Sequence, residues 1–202
     1  MSTGPMARIP PLHPDAFAPA LREAVGPDGL AHPEHLGSLR VRAHRPELAT
    51  ALVAFRAAVA DAAVLPARLV ELVRLRVAFH NQCRSCMAVR SAEAIGDGLS
   101  EDLVCELVAP EEAADLTAAE RAALAYADAV ATDHLGIGDE LFDRLREHFA
   151  DGEIVELGLH VAVFVGLGRV AMSWDLVDDL PPALRRDGAV GPWDAEGTVR
   201  PH

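Results

Sequence analysis

The sequence predicts an all-α fold, and three observations predict it. Aromatic residues make up only 4% of the chain, and the apolar half is mostly Ala, Leu and Val, a mixture suited to closely packed helices rather than a β-sandwich. Several segments repeat apolar residues at helical spacing, while none keeps a convincing period of two. Helix start and stop signals recur: Thr117-Ala-Ala-Glu120 matches a capping box, Ser100 stands where an N-cap is needed, and Gly96 and Gly98 supply a stop.

Taken in order, residues 1–45 are rich in Pro, His and Arg, with one helical candidate at 15–25, and read as an N-terminal arm lying on the body. Leu48, Leu52, Phe55 and Val59 follow at i, i+4, i+7 and i+11, behind a Pro46 suited to a first turn. Pro66 starts the next helix, with Leu69, Leu72, Val73, Val77 and Ala78 on its apolar face, ending near His80. A helix is then expected over 83–95, a short one from Ser100 to Val108, and another from the capping box to about Thr132. Asp139 is read as the cap of a helix carrying Leu141, Phe142, Leu145 and Phe149. Residues 153–174 form a long apolar helix, read as buried core because Glu156, His160 and Arg169 interrupt it. The domain reading is therefore an arm at 1–45, a helical domain at 46–174 and a Pro- and Asp-rich tail at 175–202. Leu69-Val-Glu-Leu72 and Ile154-Val-Glu-Leu157 echo one another, each with a Phe ten residues after its first residue, at 79 and 164. This is a possible helical-hairpin repeat, with chance recurrence the alternative.

Composition excludes several functions. All 18 basic residues are Arg, and without lysine there is no Schiff-base, pyridoxal-phosphate or P-loop chemistry. A net charge of −13 disfavours nucleic acid and anionic membranes as partners. Three cysteines and an N-terminal stretch without a continuous apolar core point to a reducing, cytoplasmic setting, and no membrane span is expected.

One constellation carries chemical specificity: Glu71, eleven residues, Cys83-Arg84-Ser85-Cys86, three residues, Arg90. Two cysteines separated by two residues at a helix start can close into a disulfide, and free amides there favour thiolate. On the helix expected over 83–95, Cys83, Cys86 and Arg90 lie at i, i+3 and i+7 and share a face, with the Arg90 guanidinium one turn beyond Cys86 favouring its thiolate. Inert buried cysteines are the bland alternative. A zinc site from His80, Cys83, Cys86 and Cys105 lacks a second closely spaced ligand pair, so neither metal nor cofactor is expected. Cys105 reads as a core residue, and Glu71 either takes part in chemistry or forms a salt bridge with Arg74 or Arg90. His160 and Arg169 read as partners of buried acids such as Glu156 or Asp128.

The run from Glu71 to Gly96, with Leu124-Ala-Tyr-Ala-Asp128, Asp139-Glu-Leu-Phe142 and Glu153-Ile-Val-Glu-Leu157, resembles the carboxymuconolactone decarboxylase superfamily on its alkylhydroperoxidase D-like side, over about residues 45–172. The resemblance implies an all-helical protomer assembling as a homo-oligomer, commonly a trimer or hexamer. It also implies a thiol-dependent hydroperoxide reductase in which Cys86 attacks a peroxide, Cys83 resolves it to a disulfide, and a lipoyl-type or thioredoxin-like dithiol reduces that disulfide. Glu71 takes the acidic end of a proton relay.

The chain departs from the family pattern at two points. Arg90 stands where a His follows the second cysteine, and Ser85 where a His often precedes it. Arginine cannot serve as a base, which leaves thiolate stabilisation to Arg90 and makes His80 and Ser85 the possible relay groups. A cofactor-free lactone decarboxylase and a catalytically decayed oligomeric binding protein are the alternatives.

Overall fold

The computed structural model describes residues 7–33, 36–87, 89–174 and 176. All regular structure among them is helical. The elements are α1 (Pro19–Ala31), α2 (Leu39–Arg42), α3 (Pro46–Asp61), α4 (Ala67–His80), α5 (Arg84–Met87), α6 (Ala92–Gly96), α7 (Glu101–Glu106), α8 (Ala118–Thr132), α9 (Asp139–Arg146) and α10 (Asp151–Ser173).

The chain forms two compact units that divide between Ala63 and Val64, with Ser173 and Trp174 rejoining the first. The first unit has a small core of its own made by Phe17, Leu21 of α1, Ala43 and Ala49 of α3. On α3 the buried position is Ala49, with Val53 against the same cluster, while Leu48 and Phe55 of the expected apolar face are exposed. Gly26 kinks α1 with a φ of 75°, a conformation open to glycine without strain. The expected tail at 175–202 lies outside the described residues except Leu176, which packs with Ala7 and Val41.

The second unit holds the main core and is organised around α4. Leu72, Leu75, Val77 and Phe79 are fully buried there, with Leu107, Leu124, Leu145, Leu157 and Val161 from the surrounding helices. Because α4 is covered on every side, its charged residues must find partners inside the protein. Arg68 does so at its start, donating to Glu120 Oε1 at 2.8 Å and to the carbonyls of Gly98 and Asp115. The capping box that opens α8 is formed as expected, with Glu120 Oε2 accepting Thr117 N and Thr117 Oγ1 accepting Glu120 N. The expected Asp139 cap is displaced by one residue: Gly138 is the N-cap and Asp139 the first helical residue.

Helix α10 is long and apolar enough to cross a membrane, with an 18-residue stretch of mean hydropathy 1.7, but only one of its faces is core. Ile154, Leu157 and Val161 are buried, whereas Val155 is 63% and Leu159 46% exposed. The expectation of a buried core helix therefore holds for one face of α10. Both halves of the sequence echo place a glutamate on backbone amides: Glu71 accepts from Ser91 N, and Glu156 from Val64 N and Leu65 N.

Candidate functional site

Helix α4 ends in a turn that places the first cysteine. Gln82 takes φ 52°, Gln82 N donates to Phe79 O, and Cys83 N reaches back to Ala78 O at 3.1 Å. This pair of bonds is the Schellman pattern, which satisfies the last carbonyls of a helix. Asn81, just before it, is buried and docked on α10: its Nδ2 donates to Phe164 O at 2.9 Å, and Arg169 Nε donates to its Oδ1. A Cβ on Gly168 would lie 2.4 Å from Asn81 Nδ2, so glycine makes this close approach possible.

Cys83 and Cys86 form a disulfide with Cα atoms 5.2 Å apart. Cys83 is only 1% exposed, whereas Cys86 is partly exposed. Cys86 N donates to Cys83 Sγ at 3.3 Å, and Ser85 Oγ lies 3.5 Å from the same sulfur. Of the expected relay groups, Ser85 is thus the one in contact with a cysteine.

The helix expected over 83–95 is interrupted. α5 stops at Met87, Val89–Ser91 are not helical, and Ser91 caps α6 by accepting Ala94 N. Arg90 is therefore not one turn beyond Cys86 on a shared face. Its guanidinium grips Glu101 with Nε at 2.8 Å and Nη2 at 3.0 Å, and donates to the carbonyls of Met87 and Val89. The Arg90 side chain, 17% exposed, stabilises the turn locally by joining a carboxylate and two carbonyls.

Glu71 does not meet Arg90 either. It is 5% exposed and held bidentately by Arg74, with Nε to Oε2 at 2.6 Å and Nη2 to Oε1 at 2.7 Å. Arg74 also donates from Nη1 to Cys86 O and from Nη2 to Val89 O, each at 2.7 Å. The importance of Arg74 was visible in the sequence only as an i, i+3 pairing with Glu71.

His80 faces another way. Its Nε2 lies 2.7 Å from Asp128 Oδ1 on α8, and Arg76 holds the same carboxylate with Nε at 2.6 Å and Nη2 at 2.9 Å. Arg76 Nη1 adds the carbonyls of Leu107 and Val108. Burial acts to raise the Asp128 carboxyl, but the hydrogen bonds from His80 and Arg76, with the Arg76 charge, outweigh it and hold it below its ordinary value. Since Asp128 belongs to Arg76 and His80, Arg169 turns instead to Asn81 and to Ala131 O. His160 does approach Glu156, at 3.6 Å, but its Nε2 is buried without a hydrogen-bond partner and its ring stacks on Phe164. Cys105, expected in the core, is exposed, because Leu103 and Val104 take the inward face of α7 and Leu107 is buried just after it.

The comparisons agree with this architecture. The sequence profile of the carboxymuconolactone decarboxylase family matches residues 46–129. A solved Agrobacterium tumefaciens protein of unknown function, described as a candidate AhpD antioxidant defence protein, is 30% identical with a TM-score of 0.58, covering 64% of this chain and 89% of that one. The chain belongs to the carboxymuconolactone decarboxylase family. Uncharacterized proteins from two strains of Mycobacterium tuberculosis are 35% identical to this family member over 115 residues, 56% of this chain and 40% of their own length. The match thus spans well under half of those relatives. A cysteine-to-alanine variant of the debrominase Bmp8, solved with 2,3,4-tribromopyrrole, is 21% identical and shares the fold over 92% of this chain and 96% of its own, with a TM-score of 0.69.

Proposed function

We propose that this family member is a thiol-dependent hydroperoxide reductase working through Cys86 and Cys83. The observation that carries the reading is the cysteine pair itself: two sulfurs joined across one turn, the first buried and the second partly exposed. Access assigns attack to Cys86, since a peroxide must reach the nucleophile, and resolution to Cys83, which only has to meet its neighbour. The Agrobacterium relative described as an AhpD supports the same chemistry.

In the first step the Cys86 thiolate bonds to one peroxide oxygen and the O–O bond breaks. The other oxygen leaves as an alkoxide that takes a proton from solvent, and Cys86 becomes a sulfenic acid. The Cys83 sulfur then attacks the Cys86 sulfur, forming the disulfide and releasing water. An external dithiol, lipoyl-type or thioredoxin-like, returns the pair to two thiols and is itself oxidised to a disulfide. Ser85 Oγ, 3.5 Å from Cys83 Sγ, is the hydrogen-bond partner of the Cys83 thiol in this reading. The protein works as a cytoplasmic homo-oligomer in this reading.

The test is intact mass and free-thiol count of the reduced chain after one equivalent of an organic hydroperoxide, for wild type and Cys86→Ser. The expected result is a loss of two hydrogens mapping to Cys83 and Cys86 in wild type alone, with the alcohol as product. The fold also carries a debrominase, so thiols that stay reduced while the peroxide persists would sink the peroxidase reading.

A further inference from the structure

The two groups expected to tune the nucleophile, Glu71 and Arg90, have their hydrogen bonds elsewhere. For Glu71 the alternative use is specific. Its carboxylate takes two donors from Arg74 and the amide of Ser91, and Arg74 in turn donates to the carbonyls of Cys86 and Val89. Three points of the chain from Cys86 to Ser91 are thereby tied to one side-chain pair on α4. Cys83 is tied to the other end of the same helix by the Schellman bonds. Helix α4 is thus a common frame that refers both sulfurs to one rigid element. The echo supports this use of the glutamate: Glu156, at the matching place in Ile154-Val-Glu-Leu157, also holds backbone amides, in a copy that has no cysteine pair.

We infer that Arg74, oriented by Glu71, is a positioning residue that sets the redox equilibrium of the Cys83–Cys86 pair by clamping the Cys86 carbonyl to the helix that fixes Cys83. The inference rests on the reading of the pair as a redox dithiol, and it assigns Glu71 to the clamp in place of a proton relay. Disulfide formation depends on how often the two free sulfurs lie within bonding distance, so a clamp raises the effective concentration of Cys83 at Cys86. Releasing it favours the dithiol. Arginine is required because its planar fork serves a carboxylate and two carbonyls at once, which a lysine ammonium cannot.

The experiment equilibrates the wild-type chain, Arg74→Lys and Glu71→Gln in dithiothreitol redox buffers and counts free thiols. Protein dithiol and oxidised dithiothreitol exchange for protein disulfide and reduced dithiothreitol; one S–S bond breaks, one forms, and two electrons and two protons move. Arg74→Lys is expected to lower the equilibrium constant for the protein disulfide about tenfold, about 30 mV toward easier reduction. Glu71→Gln is expected to shift it the same way while leaving the pH midpoint of Cys86 alkylation at the wild-type value. Where Arg74→Lys fails to fold, the uncharged pair Arg74→Met with Glu71→Gln takes its place, with the same expected shift. Folded variants that keep the wild-type equilibrium overturn the clamp alone, as does a Glu71→Gln variant that moves only the pH midpoint. A wild-type chain that forms no disulfide across the buffer series overturns the redox reading and the clamp with it.

Discussion

Replacing Asp128 by Ala removes the carboxylate that Arg76 and His80 share, and the structure sets the size of the effect. Arg76 is 4% exposed and donates twice to Asp128; without that partner its charge stays buried and uncompensated. Breaking a fully buried pair in this way costs about 3–5 kcal/mol. The Asp128 side chain is 27% exposed, and Arg76 Nη1 keeps the Leu107 and Val108 carbonyls, which places the expectation at the low end, about 3 kcal/mol. In a chain of this length about 2–4 °C of Tm accompanies each kcal/mol, so Asp128→Ala should melt about 6–12 °C below wild type at pH 7.

The pH dependence supplies a second check. The folded-state carboxyl is held below its ordinary value, so its stabilising effect is fully present above the unfolded value of about 3.9. It is lost as pH falls from there through the lowered folded-state value. The gap between wild type and variant should therefore shrink below about pH 4. The assay is urea unfolding of both proteins from pH 7 to pH 3. A gap under about 0.5 kcal/mol at pH 7, the range of a plain surface substitution, or a gap that does not narrow in acid, would refute the reasoning.

Other substitutions test neighbouring parts of the argument. Cys83→Ser should consume one equivalent of hydroperoxide and stop at a Cys86 sulfenic acid that a dimedone label captures; an unlabelled protein would argue against Cys86 as the attacking sulfur. Burial lowers the His160 imidazole below its ordinary value despite the opposing pull of Glu156. Wild type should therefore lose stability as pH falls below about 6.5, the unfolded histidine value, until the lowered folded-state value is passed. His160→Gln should have a flatter profile in denaturant titrations across that range. Thr117→Ala removes one half of the α8 capping box and should cost about 1 kcal/mol. Glu120→Ala should cost more, because it also strips Arg68 of its carboxylate; equal losses in thermal melts would contradict that ranking. Gly168→Ala sets a methyl group 2.4 Å from Asn81 Nδ2 and should displace the turn before Cys83, read as slower disulfide closure after oxidation.

The sequence and the structure agree best where the signal is local. The capping box at Thr117, the Ser100 cap and the extent of α4 and α8 depend on residues within a turn of one another, and all are found as the spacing implies. They diverge where a choice depends on what lies across the core. The helix expected over 83–95 breaks because Arg90 finds Glu101 eleven residues away. The expected apolar face of α3 is partly turned outward because Ala49 and Val53 fit the small core of the first unit. Cys105 is exposed because Leu103 and Val104 occupy the inner face of its short helix.

The site divides in the same way. Side-chain type and spacing by themselves determine that Cys83 and Cys86 lie within reach of a disulfide, that no lysine chemistry is available, and that the fold is helical. Those follow from bond lengths, from composition and from the 3.6-residue period. Spacing offered Arg74 or Arg90 to Glu71; tertiary structure alone decides that Glu71 also takes the Ser91 amide, that Arg74 reaches the Cys86 carbonyl, and that His80 turns to Asp128. A buried charge takes whichever partner the packing brings within about 3 Å, and that partner can lie fifty residues away along the chain, at no periodicity a sequence displays.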